Sequence, residues 1–167
     1  MIKIEKIYKK DANKLIERQE IWTNSFLSIS KFRLLAHLKN PNISDDDIIL
    51  LIAYLNEELV GYMGLFLDKI TINNKETKIG WLSTWWVHPK TKGKGVGREI
   101  LNTMYLVTDG QIGISQFTPS AKRVYDKSGY FTDLKTNLGI RVLLKSNYSK
   151  ILAHRFKWLK KGNNLLN

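Results

Sequence analysis

Three apolar runs in the middle of the chain, DIILLIAYLN (47–56), LVGYMGLFLDKITI (59–72) and TKIGWLSTWWVH (77–88), are separated only by the polar stretches NEE and NNKE. Connections that short cannot carry a crossover, so the runs are expected to pair as an antiparallel meander. Their near-continuous apolar character predicts strands covered on both faces. The opening IKIEKIY alternates apolar and charged residues and adds a strand. Helical spacing is found over 11–22, over 28–39 ending before Pro41, and over 98–107. After Gly110, QIGISQF reads as a strand. PSAKRVYDKSGY reads as a short helix with Ser120 as N-cap and Gly129 as its stop, and LGIRVLLK as a last strand. The expected fold is mixed α+β, a central, mostly antiparallel sheet flanked by helices.

At 167 residues the chain has room for one domain with a real core. That domain is expected over 1–147, with 148–167 as a basic helix or tail packed on it or extending it. There is no cysteine, which excludes disulfides, thiolate zinc sites and acyl-cysteine chemistry. His37, His88 and His154 lie far apart with no ligand spacing, so no metal site is expected. No apolar run approaches the roughly 18 residues of a membrane span, and charges interrupt the first fifteen residues; the expected location is cytoplasmic. The net charge of +12 favours a polyanionic partner, whether nucleic acid, an acidic membrane surface or a phosphate-rich small molecule, against the alternative of a merely solvated basic surface.

One cluster of that charge, interleaved with glycines, falls in WWVHPKTKGKGVGREIL, residues 85–101. A Walker loop needs lysine after its last glycine, where Arg98 stands, and a dinucleotide fingerprint needs glycine at position 98 or 100, where Arg98 and Ile100 stand. The physical logic of an anion site survives both failures. Pro89 ends the strand near His88. Gly93, Gly95 and Gly97 let successive N–H groups turn inward, and the loop opens into a helix whose first turn carries unpaired donors. Lys90, Lys92, Lys94 and Arg98 surround that point.

Val87 to Gly97 resembles the acetyl-CoA signature of the GNAT family of N-acetyltransferases, whose core is Gln/Arg-x-x-Gly-x-Gly/Ala; Lys92 takes the Gln/Arg place. Downstream, Thr118 to Tyr130 resembles the family's Asn-x-x-Ala-x-x-x-Tyr-x-x-x-Gly-Phe/Tyr. Ala121, Tyr125, Gly129 and Tyr130 match, and Thr118 stands where Asn is usual. The order of elements along the chain also fits.

The resemblance implies acetyl-CoA as co-substrate, no metal, and direct acetyl transfer to a primary amine without a covalent enzyme intermediate. It implies that backbone groups of Trp85 and Val87 hold the pantetheine arm. The pyrophosphate would sit on Lys92, Gly93, Lys94, Gly95, Val96, Gly97 and Arg98. Tyr125 would be the acid facing the leaving thiolate.

No residue stands out as the base. Ser83 and Thr84 can orient a water, His88 reads as a loop residue, Asp45, Asp46 and Asp47 as a loop that could border the acceptor site, and Glu57 and Glu58 as turn residues. Adjacent Trp85 and Trp86 should face opposite sides of their strand unless a bulge intervenes, and one strand tryptophan could line an acceptor groove. The acceptor is a small-molecule or peptide amine, the basic balance favouring an acidic one over a polycation. Oligomeric state is left open, a dimer included. Two alternatives remain: a non-catalytic acyl-CoA-binding module of the same fold, and a nucleic-acid or membrane-surface binder using the tail around Phe156 and Trp158.

Overall fold

The computed structural model describes residues 1–18 and 31–133. The expected helix beyond Arg18, the start of the second helix, the strand at 138–145 and the tail from 148 lie outside the described residues. Residues Met1–Thr132 form one compact unit.

Strands β1 (Ile2–Tyr8), β2 (Ile48–Leu55), β3 (Glu58–Ile72), β4 (Lys75–Val87) and β5 (Ile112–Gly113) lie side by side in that order. The first four are antiparallel and β5 is parallel to β4. The meander forms as its spacing dictates. Asn56 and Glu57 turn β2 into β3, and Asn73 and Asn74 turn β3 into β4; all four have positive φ, the backbone that two-residue hairpins require. β2 is buried on both faces, with Ile49, Leu50, Leu51, Ile52 and Ala53 at most 1% exposed.

Helices α1 (Ala12–Glu17) and α2 (Lys31–Leu38) cover one face, where Leu15 and Leu34 pack with Ile7, Ile52 and Tyr62. Helices α3 (Val96–Val107) and α4 (Pro119–Ser128) cover the other. There Val96, Ile100, Leu101 and Met104 meet Leu51, Ala53, Met63 and Leu65. Gly61 makes the close approach of α3 feasible, since a Cβ on it would stand 2.9 Å from Ile100 Cδ1.

One irregularity governs the site. Gly80 donates its N–H to Gln111 O of the β5 side, so even-numbered residues at the start of β4 turn their backbone away from β3. Yet His88 donates to Val60 O of β3, so even-numbered residues at the end turn toward it. An extra residue between them reconciles the two. It sits between the pairs Gly64–Ser83 and Tyr62–Trp86, where Thr84 takes a left-handed φ of +49°. The same bulge reverses the side chains: Leu82 before it and Trp85 and Val87 after it all pack on the α3/α4 face. Trp86 packs on the α1/α2 face against Tyr62.

Some expectations are corrected. β5 is only two residues long, because the chain leaves β4 after Gly113. α4 is capped by Thr118, not Ser120: Thr118 Oγ1 accepts from the Ala121 N–H at 3.2 Å, and Pro119 occupies the first helical position. Gly129, at φ +72°, ends α4 as expected.

Candidate functional site

The site begins where β4 and β5 part. Their pairing stops at Trp81 and Gly113, and β4 runs on for six more residues whose edge on that side pairs with no strand among the described residues. Trp86 and His88 spend their backbone groups on β3, so strand alternation turns the N–H and C=O of Trp85 and Val87 to the open edge. An extended ligand can therefore add there as a further strand.

The edge leads into the glycine loop. After Val87, residues Pro89–Thr91 make one 3₁₀ turn, fastened by the Thr91 hydroxyl on His88 O. His88 Nδ1 accepts from the Lys90 N–H, so this histidine shapes the loop. Within the loop the N–H groups of Lys92 and Lys94 are used on Pro89 O and Thr91 O. Those of Gly93, Gly95, Val96, Gly97 and Arg98 meet no carbonyl among the described residues. Gly95, at φ +79°, is the N-cap of α3, so the last three of these are the free donors of a helix start.

Edge and loop line a cleft of about 1250 Å3, whose opposite wall is α4, presenting Thr118, Ala121, Arg123, Val124 and Lys127. The structure thus brings Trp85, Val87, Lys92, Gly93, Gly95, Val96, Gly97 and Arg98 to one cavity. Lys94 does not line it. With Lys90 it borders a separate hollow beside Glu58, whose carboxylate bonds Lys90 Nζ at 2.6 Å. Arg123 and Lys127 went unnoticed in the sequence; their i, i+4 spacing on the helix that carries Tyr125 was the available signal.

Tyr125 stands one ring behind the cleft wall. Its ring lies 5.0 Å from that of Trp85 and 5.2 Å from Phe131, and it is 6% exposed. Burial pushes its phenol up to about 12. The Trp85 ring also presses on the start of α3, where a Cβ at Gly97 would meet it at 3.2 Å. Its buried Nε1 has no hydrogen-bond partner among the described residues.

Asp45 and Asp46 hold Lys9 and Lys10. Burial works against the charge of Asp47, but hydrogen bonds from Lys78 and Ser44 outweigh it and hold the carboxyl below its ordinary value. Among the described residues no three His, Asp or Glu side chains gather as metal ligands, and no helix is long and apolar enough to cross a membrane.

A family model described as an acetyltransferase (GNAT) domain matches residues 7–132. A predicted acetyltransferase from Clostridium acetobutylicum, solved with acetyl-CoA, is 20% identical with a TM-score of 0.57, over 84% of this chain and 96% of that one. A ribosomal-protein-alanine N-acetyltransferase from Brucella melitensis biovar Abortus 2308 is 14% identical with a TM-score of 0.53, over 85% and 99%. An aminoglycoside acetyltransferase from an uncultured soil metagenomic sample, in complex with sisomicin, is 16% identical with a TM-score of 0.53, over 86% and 97%. At these identities the likeness is one of fold. No curated protein matches the chain by sequence.

Proposed function

The chain belongs to the GNAT acetyltransferases, and from that premise we propose that its cleft binds acetyl-CoA and that the acetyl group passes directly to a primary amine. The observation that carries this reading is the continuity of the open β4 edge with five N–H donors, that of Gly93 in the loop and those of Gly95 to Arg98 where α3 begins, which meet no carbonyl among the described residues. An amide-bearing arm fits the edge and a diphosphate fits the donors. Lys92 and Arg98 from the loop and Arg123 and Lys127 from α4 add positive charge around the same cavity.

Bound acetyl-CoA supplies the acetyl group as a thioester. The amine nitrogen forms the C–N bond, the C–S bond breaks with its electron pair going to sulfur, and the proton lost by nitrogen ends on the thiol. Tyr125 is protonated throughout the neutral range. As a weaker acid than a thiol of pKa about 8.5, it keeps its own proton; for its hydroxyl to donate a hydrogen bond to the departing sulfur, the Trp85 ring on the cleft wall has to shift when acetyl-CoA binds. The similar structures named for acting on a ribosomal-protein alanine and on aminoglycosides support an amine acceptor.

The test is a thermal-shift titration with acetyl-CoA, then thiol release in the presence of amines. A ligand at 100 times its Kd stabilises by about 2.7 kcal/mol. No shift at millimolar acetyl-CoA would sink the reading.

A further inference from the structure

Away from the cleft, Lys9, Lys10, Lys14, Lys69, Lys78 and Lys90 each reach a carboxylate within 3.0 Å. The cleft is different. Its walls carry Lys92, Arg98, Arg123 and Lys127 and, among the described residues, no Asp or Glu. None of these cations makes an ion pair with a described carboxylate.

Helix α4 shows the contrast one residue apart. Lys122 holds Asp126 four positions on, with Nζ 2.8 Å from Oδ1 and 3.0 Å from Oδ2, and neither residue lines the cleft. Arg123 has Lys127 four positions on, and this like-charged pair is the one that faces the cavity. Like charges at that spacing weaken a helix, whereas an anion held between them turns the cost into a gain.

A diphosphate does not use up this charge. Across the cleft it already has Lys92, Arg98 and the five N–H groups that meet no carbonyl among the described residues. Arg123 and Lys127, on the opposite wall, are left for a second anion of the same ligand. CoA carries one on its ribose, a 3′-phosphomonoester with about 1.5 to 2 negative charges at neutral pH. A guanidinium fork beside an ammonium suits such a group.

Resting on the acetyl-CoA reading above, we propose that Arg123 and Lys127 form a phosphomonoester site for the ribose 3′-phosphate of the donor, and that the protein thereby selects CoA thioesters over those of 3′-dephospho-CoA.

The test is calorimetry on the full chain with CoA against 3′-dephospho-CoA, and with adenosine 3′,5′-bisphosphate against 5′-AMP. CoA should bind at least tenfold more tightly than dephospho-CoA, the scale of one lost charged hydrogen bond. Arg123→Gln and Lys127→Gln should each weaken CoA about fivefold while dephospho-CoA changes less than about twofold. The double variant should bind the two alike, and its unchanged grip on dephospho-CoA shows that it is folded. Lys122→Gln removes the same charge from the same helix outside the cleft and should leave the ratio where it was. Equal affinities in the wild type, or a loss in Lys122→Gln as large as in Lys127→Gln, overturns the site and leaves the cofactor reading standing. If neither CoA nor dephospho-CoA binds, the cofactor reading falls. The pair is then judged by the bisphosphate: a tenfold preference over 5′-AMP that the double variant loses supports it, and no preference overturns it.

Discussion

The Trp85 indole lies 5.0 Å from the Tyr125 ring, tilted by 37°, so the strand edge that faces the cleft and the helix that closes it meet through two aromatic rings. The tyrosine's environment follows from that contact. Enclosed by Trp85, Phe117 and Phe131, its phenol loses water and stays neutral.

Tyr125→Phe keeps the ring and removes the donor. If the hydroxyl serves the leaving sulfur, kcat falls by about 100-fold while the Kd for acetyl-CoA changes less than about threefold. Steady-state kinetics with calorimetry would read both.

The same phenol sets an alkaline limit. Its folded value of about 12 lies above the ordinary 10, so its contribution is intact below pH 10 and is lost as pH rises toward 12. The full interval corresponds to about 3 kcal/mol. Urea midpoints between pH 9 and 11 should fall in the wild type and fall less steeply in Tyr125→Phe.

His37 acts at the other end of the scale. Burial, aided by the nearby Arg33 charge, holds its imidazole below the ordinary 6.5. The unfolded chain therefore takes up the proton first, and stability present above pH 6.5 drains away as pH falls through the folded value. His37→Phe should flatten this acid limb in melting curves between pH 5 and 7; an unchanged limb would mean that another group is responsible.

Gly95 is needed for its backbone, not for space. It holds φ +79° at the N-cap of α3, and a Cβ there would meet nothing within 4 Å. Gly95→Ala should cost about 1–2 kcal/mol of stability by strain alone. Acetyl-CoA affinity should drop with it, measurable on the same sample, because the free N–H groups re-aim.

Thr118→Ala removes the cap of α4 and is expected to cost about 1 kcal/mol, whereas Thr118→Asn should restore it. Denaturant midpoints would separate the three.

Periodicity and punctuation carried most of this architecture. The apolar runs with their asparagine turns specify the meander, and Pro89 with the alternating glycines specifies a loop feeding α3. The cap of α4 was legible too: Pro at the first helical position makes Thr118 the cap, a rule that outranks the serine one step later.

What sequence could not show depends on partners. Residues 114–117 keep strand-like composition yet pair with no strand among the described residues, because the pairing of β5 with β4 ends at Gly113. Nor does LSTWW betray a bulge, since threonine is a poor choice for left-handed backbone. The side chain of Lys94 turns to the hollow by Glu58 through local loop geometry that no motif spacing encodes.

The extra residue at the bulge makes β4 a strand with two phases. Removing Thr84 would leave every later residue in place along the chain but turned over. Trp86 would be driven toward α4, Trp85 toward Tyr62, and the backbone groups of Trp85 and Val87 back onto β3. Packing strand and binding edge are thus joined by parity, and a one-residue deletion tolerable in most loops would here exchange the inside of the site for the outside.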